Sequence, residues 1–357
     1  TASAGAAGER AGLGLVGVLD LPRESSVGFV TGATMANFTC LAAARGEVLR
    51  RAGWDVEADG LFGAPPITVI LGEEAHSTVF AAIKYLGLGA QRVIKVDVDR
   101  NGAMIPAAFA DAIARASGPI IVIAQAGQIN TGAFDPFVAI AQAVGAKGGW
   151  LHIDGAFGLW ARATKTHRHL GEGLELADSW AVDGHKWLQT PYDCGYAIVR
   201  HREAHIRAMQ IAASYLPGAS DAAHNPSDYA PELSRRARGF ATWALIRHFG
   251  RKRIAEMITR HCACARRFAE KLAAEAGVEI LNDVALNQVA VRFGNAEQTK
   301  AVIARIQAGG VTFVGGAQWH DHWIMRISVS SETTTEADVD RSVEAMLEAW
   351  RAVRGRN

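Results

Sequence analysis

Cysteine is scarce in this chain. Cys40, Cys194, Cys262 and Cys264 are the whole set, and no two of them form a C-x-x-C pair. Cys262 and Cys264 lie two apart in a helical pattern, so their thiols point to different sides. Neither a disulfide scaffold nor a structural zinc knuckle is expected. An excess of charge of one sign is also lacking. There are 37 Lys+Arg against 36 Asp+Glu, a formal net charge of +1. No broad basic field gathers phosphates, which argues against a general nucleic-acid binder. Local basic clusters, Arg235-Arg236 with Arg238 and Arg251-Lys252-Arg253, sit among helix-period apolar residues and read as solvated faces or local salt bridges. Long hydrophobic runs are missing as well: none approaches the ~20 residues that span a bilayer. The start, Thr1–Gly5, has no basic stretch leading into an apolar one, so no signal peptide is visible. The expectation is a soluble, cytoplasmic protein with no membrane partner. Because residue 1 is not Met, the chain reads as processed or truncated.

What is present is globular in character, with 49% hydrophobic and 20% charged residues over 357 positions. That length suggests two domains at roughly 150 residues each. Short apolar runs bounded by Gly, Pro or Asp predict strands at Ile67–Leu71, Arg92–Val96, Ile120–Ala124, Trp150–Asp154, Ser179–Val182 and Tyr196–Val199. Helical patterns fall between several of them, at Met35–Arg51, Ser77–Leu86, Pro106–Ala116 and Pro136–Val144. The alternation predicts an α/β layer with a largely parallel sheet. An aperiodic stretch, Leu216–Glu232, then reads as a long functional or mobile loop. Beyond it come a long helical region at about 234–277, a strand at Gln288–Phe293 and a helix at Ala296–Ala308. Two strands at Thr312–Val314 and Trp323–Val329 and a last helix at Glu336–Val353 complete the pattern. The expected division is a large domain over 1–231 and, over 232–357, linking helices with a smaller α/β domain.

Four segments bear on chemistry. Gly12-Leu13-Gly14-Leu15-Val16-Gly17 matches G-x-G-x-x-G, but no strand precedes it. A dinucleotide site needs strand, turn and helix in that order, so a glycine-tolerant helix or loop is the better reading. Thr31-Gly32-Ala33-Thr34-Met35-Ala36-Asn37 places a glycine turn and two hydroxyls at a helix start. Unpaired N–H groups and the positive dipole end make that an anion site, most simply for phosphate; alternatively Thr34 only caps the helix. In Trp150–Gly158 an acidic residue, Asp154, ends a buried strand and small residues follow it. A carboxylate there needs a cationic partner, and Gly155-Ala156 leaves room for a flat object, unless Asp154 merely caps the next helix. Asp178–Leu188 is a second buried strand that runs into His185-Lys186, thirty-two residues after Asp154. A lysine between Gly184 and Trp187 at a strand end is expected to be desolvated, and so available as a nucleophile toward an aldehyde. A phosphate cradle, a carboxylate for a ring nitrogen, a flat space and a Schiff-base lysine are together the requirements of pyridoxal 5'-phosphate.

On these residues the chain resembles the group II pyridoxal-phosphate-dependent amino-acid decarboxylases, the aromatic-amino-acid and glutamate decarboxylases among them. The matching blocks are Thr31–Asn37, Glu74–Ser77, Gly132–Pro136, His152–Gly158, Asp178–Gly195 and Ser234–Arg236. The resemblance implies the type I aminotransferase-like fold, with a mostly parallel central sheet, helices on both faces and a smaller C-terminal α/β domain. It implies that Lys186 is the Schiff-base lysine, Asp154 the partner of the ring nitrogen and Ala156 the small residue against the ring. It places Ala33, Thr34, Ser179 and His185 near the phosphate and His76 on the ring beside the substrate carboxylate. Gln128 stands where relatives often carry Thr or Asn, as a contact to the ring hydroxyl. Asp183 stands where many carry Asn near the phosphate; a carboxylate there is expected to turn away or meet a basic group. Relatives also carry a longer N-terminal segment, of which Thr1–Leu21 resembles only the end. They form two-fold homodimers with shared active sites.

The expected reaction is α-decarboxylation of an L-amino acid to an amine and CO2. In relatives a loop tyrosine returns a proton to Cα; Tyr229 is the candidate here and Tyr215 the fallback. Other reactions on the same cofactor (aldehyde synthase, lyase, transaminase) and a catalytically silent structural homologue are alternatives. A metallohydrolase built on His152, Asp154 and His185 would leave Lys186 and the phosphate cradle unexplained, so no metal is expected.

Overall fold

The computed structural model describes residues 2–211 and 225–355. They form two compact units. One combines Thr1–Ala126 with Phe134–Ala255, the other Gly127–Ala133 with Glu256–Asn357.

The first unit is built on a seven-stranded sheet of β1 (Ser26–Val30), β2 (Thr68–Gly72), β3 (Ile94–Val96), β4 (Ile120–Gln125), β5 (Trp150–Asp154), β6 (Ser179–Asp183) and β7 (Gly195–Val199). The strand order is β1-β7-β6-β5-β4-β2-β3. β3, β2, β4, β5 and β6 run parallel, and β7 and β1 are antiparallel to their neighbours. Every residue of β1, β4, β5, β6 and β7 is buried. That is why β4, β5, β6 and β7 read as short buried runs and not as alternating ones. Helix Ala33–Arg51 packs across β7, β6 and β5 through an alanine-rich face that includes Ala36, Cys40, Ala43 and Ala44. Small side chains let this helix lie close to the sheet.

The register decides where chemistry can occur. Asp183, the last residue of β6, pairs with Gly195, the first of β7, and Gly195 also pairs with Val30, the last of β1. Gln125 pairs with Asp154 at the ends of β4 and β5. The carboxyl ends of four strands and the turn into helix Ala33–Arg51 therefore share one edge of the sheet, the side on which ligands bind in open α/β sheets.

The second unit carries a four-stranded antiparallel sheet in the order β10-β11-β9-β8, from β8 (Val278–Ile280), β9 (Gln288–Phe293), β10 (Gly315–Trp319) and β11 (His322–Ser328). Two helices start at capping boxes, Asn295 with Gln298 and Thr335 with Asp338. The last helix, Glu336–Arg354, buries Val339, Val343, Met346 and Trp350 at helical spacing. Each such burial contributes roughly 1.5–3 kcal/mol.

Most predicted elements stand within two residues of their expected ends. Others differ. Strand β1 was not foreseen, since five residues with a Ser and a Gly carry little β signal. The glycine motif, by contrast, lies inside a helix, Ala2–Val18, in line with the reading of a glycine-tolerant helix. There a Cβ on Gly12 would sit 3.5 Å from Val27, and one on Gly14 would sit 3.5 Å from Ile246. The strand expected at Thr312–Val314 begins three residues later, as β10. The first unit also extends past the expected boundary at 231, to Ala255. It does so because the first half of helix Arg238–Ala273 belongs to its core, where Thr242 bonds the Tyr196 hydroxyl at 2.8 Å. That helix breaks at Gly250, whose backbone leaves the helical region at φ 63°.

Candidate active site

The turn Thr31-Gly32 and the start of helix Ala33–Arg51 meet the ends of β6 and β7. Gly195 is required here by proximity: a Cβ on it would fall 2.5 Å from the Gly32 Cα. A Cβ on Gly32 would in turn lie 3.1 Å from the His185 ring and 3.4 Å from the Asp183 carboxylate. The cradle is a backbone cavity that side chains would fill.

Asp183, only 2% exposed, organises this corner. One carboxylate oxygen accepts from the Ala33 N–H at 2.7 Å, and the other lies 3.0 Å from the Lys186 ammonium. The same group lies 3.5 Å from His185 Nε2. The expectation that Asp183 meets a basic group is met. It has not turned away from the helix start, however, but sits on it as an anion. Lys186 differs from its expected state. Its side chain is 36% exposed and its amine is ion-paired, not desolvated. Its ammonium also lies 5.7 Å from the centre of the Phe157 ring. His185 stacks on Tyr192 with ring centres 4.0 Å apart. The Cys194 N–H donates to His185 Nδ1, so the neutral ring carries its proton on Nε2, toward Asp183. Burial lowers the His185 pKa and outweighs the opposing pull of Asp183.

Asp154 lies 4% exposed at the end of β5. Burial raises its pKa against the opposing influence of His76, Lys186 and a bond from Asn37. The Asn37 Nδ2 reaches it at 3.3 Å and the Ala156 N–H at 3.2 Å. His76 begins helix Ser77–Tyr85, its Nδ1 bonded by the Thr78 hydroxyl at 2.9 Å and accepting from the Thr78 N–H. His76, Asp154, Ala156, Lys186, His185, Ala33 and Thr34 thus gather at one edge of the sheet.

Ser179 does not join them. It sits at the amino end of β6, roughly 13 Å of strand away from Asp183. Its hydroxyl is engaged by Trp150 Nε1 and His152 Nδ1, both at 2.9 Å. The phosphate contact expected of Ser179 is corrected: four residues of extended chain separate it from the cradle. Tyr229 is corrected on the same kind of ground. It is 1% exposed, edge-on to His205 at 5.2 Å, with the Arg202 guanidinium 5.8 Å from its ring. Its carbonyl is bonded by His205 and would collide with any Cβ at Gly28 of β1. A proton donor must reach the reacting carbon, and this phenol is packed against an outer strand. Tyr215 lies outside the described residues. Gln128 belongs to the second unit, where its amide oxygen accepts from the Asn130 and Thr131 N–H groups at 2.5 and 3.0 Å.

The arginine cluster also has an assignment. Arg236 donates to the carbonyls of Pro191, Tyr192 and Asp193, and Arg238 grips Asp193 through carbonyl and carboxylate. These cations hold the loop after Lys186 in place. No group of three or more His, Cys, Asp or Glu side chains among the described residues is arranged to hold a metal. His152 instead spends both ring nitrogens on Ser179 and Asn37. Sequence reasoning quoted Asn37 and His152 without seeing their partnership with Asp154. The signal existed: His152 and Asp154 are two apart on one strand, so they share a face, and Asn37 lies one helical turn below Ala33.

These residues fit pyridoxal phosphate. The helix N-terminus and the glycine cradle suit a phosphate. Asp154 is a buried carboxylate whose raised pKa marks an incomplete set of cationic partners, which a protonated ring nitrogen would complete. Asp154 ends β5 and Lys186 follows the end of the neighbouring β6, close enough to pull the Asp154 pKa down against burial.

The family model described as the pyridoxal-dependent decarboxylase conserved domain matches residues 16–294. A 4-hydroxyphenylacetaldehyde synthase of Rhodiola rosea is 26% identical over 94% of this chain and 71% of its own length. An acidic amino acid decarboxylase, GADL1, of Mus musculus is 31% identical over 64% of this chain. The chain spans 43% of that relative's length. Among solved structures, Oryza sativa TDC with PLP and tryptamine superposes with a TM-score of 0.90 at 23% identity, covering 99% of this chain and 77% of the other.

Proposed function

This chain belongs to the pyridoxal-dependent decarboxylase family, and from that premise we propose that it removes the α-carboxyl group of an L-amino acid to release the amine and CO2. The observation that carries the reading is Lys186, three residues past the end of β6, placed close enough to the buried Asp154 at the end of the neighbouring β5 to influence its charge. The bound cofactor supplies an electron sink for the bond that breaks.

The chain's own residues supply the rest. The Ala33–Thr34 helix start, with His185 Nε2–H beside it, takes the phosphate, and Asp183 must yield the Ala33 N–H for this to happen. Lys186 must leave its pair with Asp183 before its amine can act as a nucleophile. With the cofactor bound, Asp154 would hold a proton on the ring nitrogen, and Ala156 would leave a face open for the ring. His76, its Nδ1 engaged by Thr78, would offer a proton from Nε2 to the substrate carboxylate, the role the family resemblance implies for it. Tyr215 is the proton donor of this reading, since Tyr229 is engaged elsewhere. A homodimer with shared active sites, an amino acid as the small-molecule partner and a cytoplasmic location belong to the same reading, supported by the family resemblance. Sedimentation at micromolar concentration tests the dimer.

The purified protein is expected to be yellow when loaded, and borohydride is expected to fix the cofactor onto Lys186, as read by peptide mass. Lys186→Ala should abolish that label and lower turnover at least about a hundredfold. Retention of full activity by Lys186→Ala on an identified substrate would sink the proposal. Assay of CO2, amine, aldehyde and peroxide separates decarboxylation from the aldehyde-forming alternative, which one of the relatives represents.

A further inference from the structure

A hydrogen-bonded chain runs through the core behind Asp154. Trp150 Nε1 meets the Ser179 hydroxyl at 2.9 Å, and that hydroxyl meets His152 Nδ1 at 2.9 Å. His152 Nε2 meets Asn37 Oδ1 at 2.9 Å, and Asn37 Nδ2 meets Asp154 at 3.3 Å. Asn37, Trp150, His152 and Ser179 are wholly buried.

The chemistry at the two ends determines every proton between them. An indole N–H can only donate, and an ionised carboxylate can only accept. Asn37 must therefore turn its NH2 toward Asp154 and its carbonyl toward His152. His152 must then donate from Nε2 and accept at Nδ1, so the Ser179 hydroxyl donates to it and accepts from Trp150. Burial supports this state by holding the His152 pKa down at about 3, which keeps the ring neutral. All the donors point toward Asp154.

Asn37 also has a second branch. Its Nδ2 donates to the Thr78 hydroxyl at 3.3 Å, and that hydroxyl meets His76 Nδ1 at 2.9 Å. With its proton given to His76, the Thr78 hydroxyl sets the neutral His76 tautomer with hydrogen on Nε2. One amide thus joins the two groups that flank the ring site, the carboxylate for its nitrogen and the histidine over it.

We propose that Asn37 is a positioning residue, the hub of a one-directional chain from Trp150 that keeps Asp154 ionised and oriented and sets the tautomer of His76. The inference rests on the cofactor reading above. It adds the assignment of Asn37, His152, Ser179 and Trp150, none of which touches the cofactor in that reading. Removing the chain leaves Asp154 as a buried carboxylate with fewer donors, and such a group takes up a proton more readily. The ring nitrogen would then lose its anionic partner.

The test uses the whole chain freed of cofactor and titrated with pyridoxal phosphate. Affinity and the pH titration of the bound cofactor's absorption spectrum are the readouts. Asn37→Leu is expected to weaken binding about tenfold or more and to shift the spectral titration, while Lys186 can still be labelled with borohydride. Ser179→Ala, which removes a single hydroxyl two hydrogen bonds back from Asn37, is expected to shift the titration in the same direction by less. Thermal unfolding of each cofactor-free variant separates a folding defect, which would not move the spectrum of the fraction that binds. Wild-type affinity and wild-type spectral titration in both variants would overturn the proposal. Failure of the wild-type chain to bind the cofactor at all would overturn the functional reading and this inference with it.

Discussion

Asp183 shows how one residue can be read correctly for charge and incompletely for place. An acidic side chain near a phosphate site was expected to find a basic partner, and it found Lys186. What was not visible is that it would also occupy the Ala33 N–H, the first donor of the cradle. At the same scale the tyrosines can be told apart experimentally. Tyr229 is packed under His205 and Arg202, so Tyr229→Phe should alter stability by no more than about 1–3 kcal/mol and leave the product unchanged. Tyr215→Phe should lower amine formation at least about a hundredfold and raise the aldehyde fraction. Product analysis of the two variants side by side checks this, and the reverse pattern would restore Tyr229 as the proton donor. The candidate residues that the fold gathers at one sheet edge, Lys186, Asp154, His76 and the helix start, lie at or just beyond an end of a strand or helix. Those it misplaced, Ser179 and Tyr229, depended on how far along a strand or under which neighbour a side chain falls. Local sequence does not encode those distances.

Elements bring these residues together through close approach, and two consequences can be measured. Gly195→Ala would thrust a methyl group against the Gly32 backbone, 2.5 Å away at its nearest. Overpacking of that kind should cost about 1–3 kcal/mol in a denaturant melt and weaken cofactor binding more than a surface substitution would. The second consequence concerns the turn between β4 and helix Phe137–Ala146. Asp135, buried there, accepts from the Met104 N–H at 2.8 Å and the Gln125 N–H at 2.6 Å, tying a surface loop to the end of β4. Burial lifts its pKa from 3.8 to about 7 despite those bonds. Between these values the unfolded chain ionises while the folded one holds its proton, so this group makes the protein less stable as pH rises from about 4 to about 7. His152 acts with opposite sign. Its pKa falls from 6.5 to about 3, so its contribution is lost as pH falls through that range. The readout is therefore a difference. Stability against pH for Asp135→Asn, subtracted from that of wild type, should show a slope confined to that window, and a flat difference would refute the assignment.

For the whole molecule, the order of strands and helices along the chain was legible, and so was the class of fold. Unbroken apolar runs alternating with helical periods admit few arrangements other than a parallel sheet covered on both faces. Helix Arg238–Ala273 was legible as a helix, but its division between two units after Ala255 was not, because periodicity carries no information about which core a face joins. The sequence by itself determined the chemistry on offer: a lysine and a carboxylate at strand ends, a glycine-lined helix start and little else that would suit another cofactor. Only the tertiary structure decided how that chemistry is wired. Asn37, His152 and Ser179 are separated by more than a hundred residues at the widest, yet they share one line of hydrogen bonds to Asp154. The physical reason is that strand register and the close seat of an alanine-faced helix set distances to a few tenths of an ångström. Hydrogen bonds need that accuracy, and burial makes each unmet one costly.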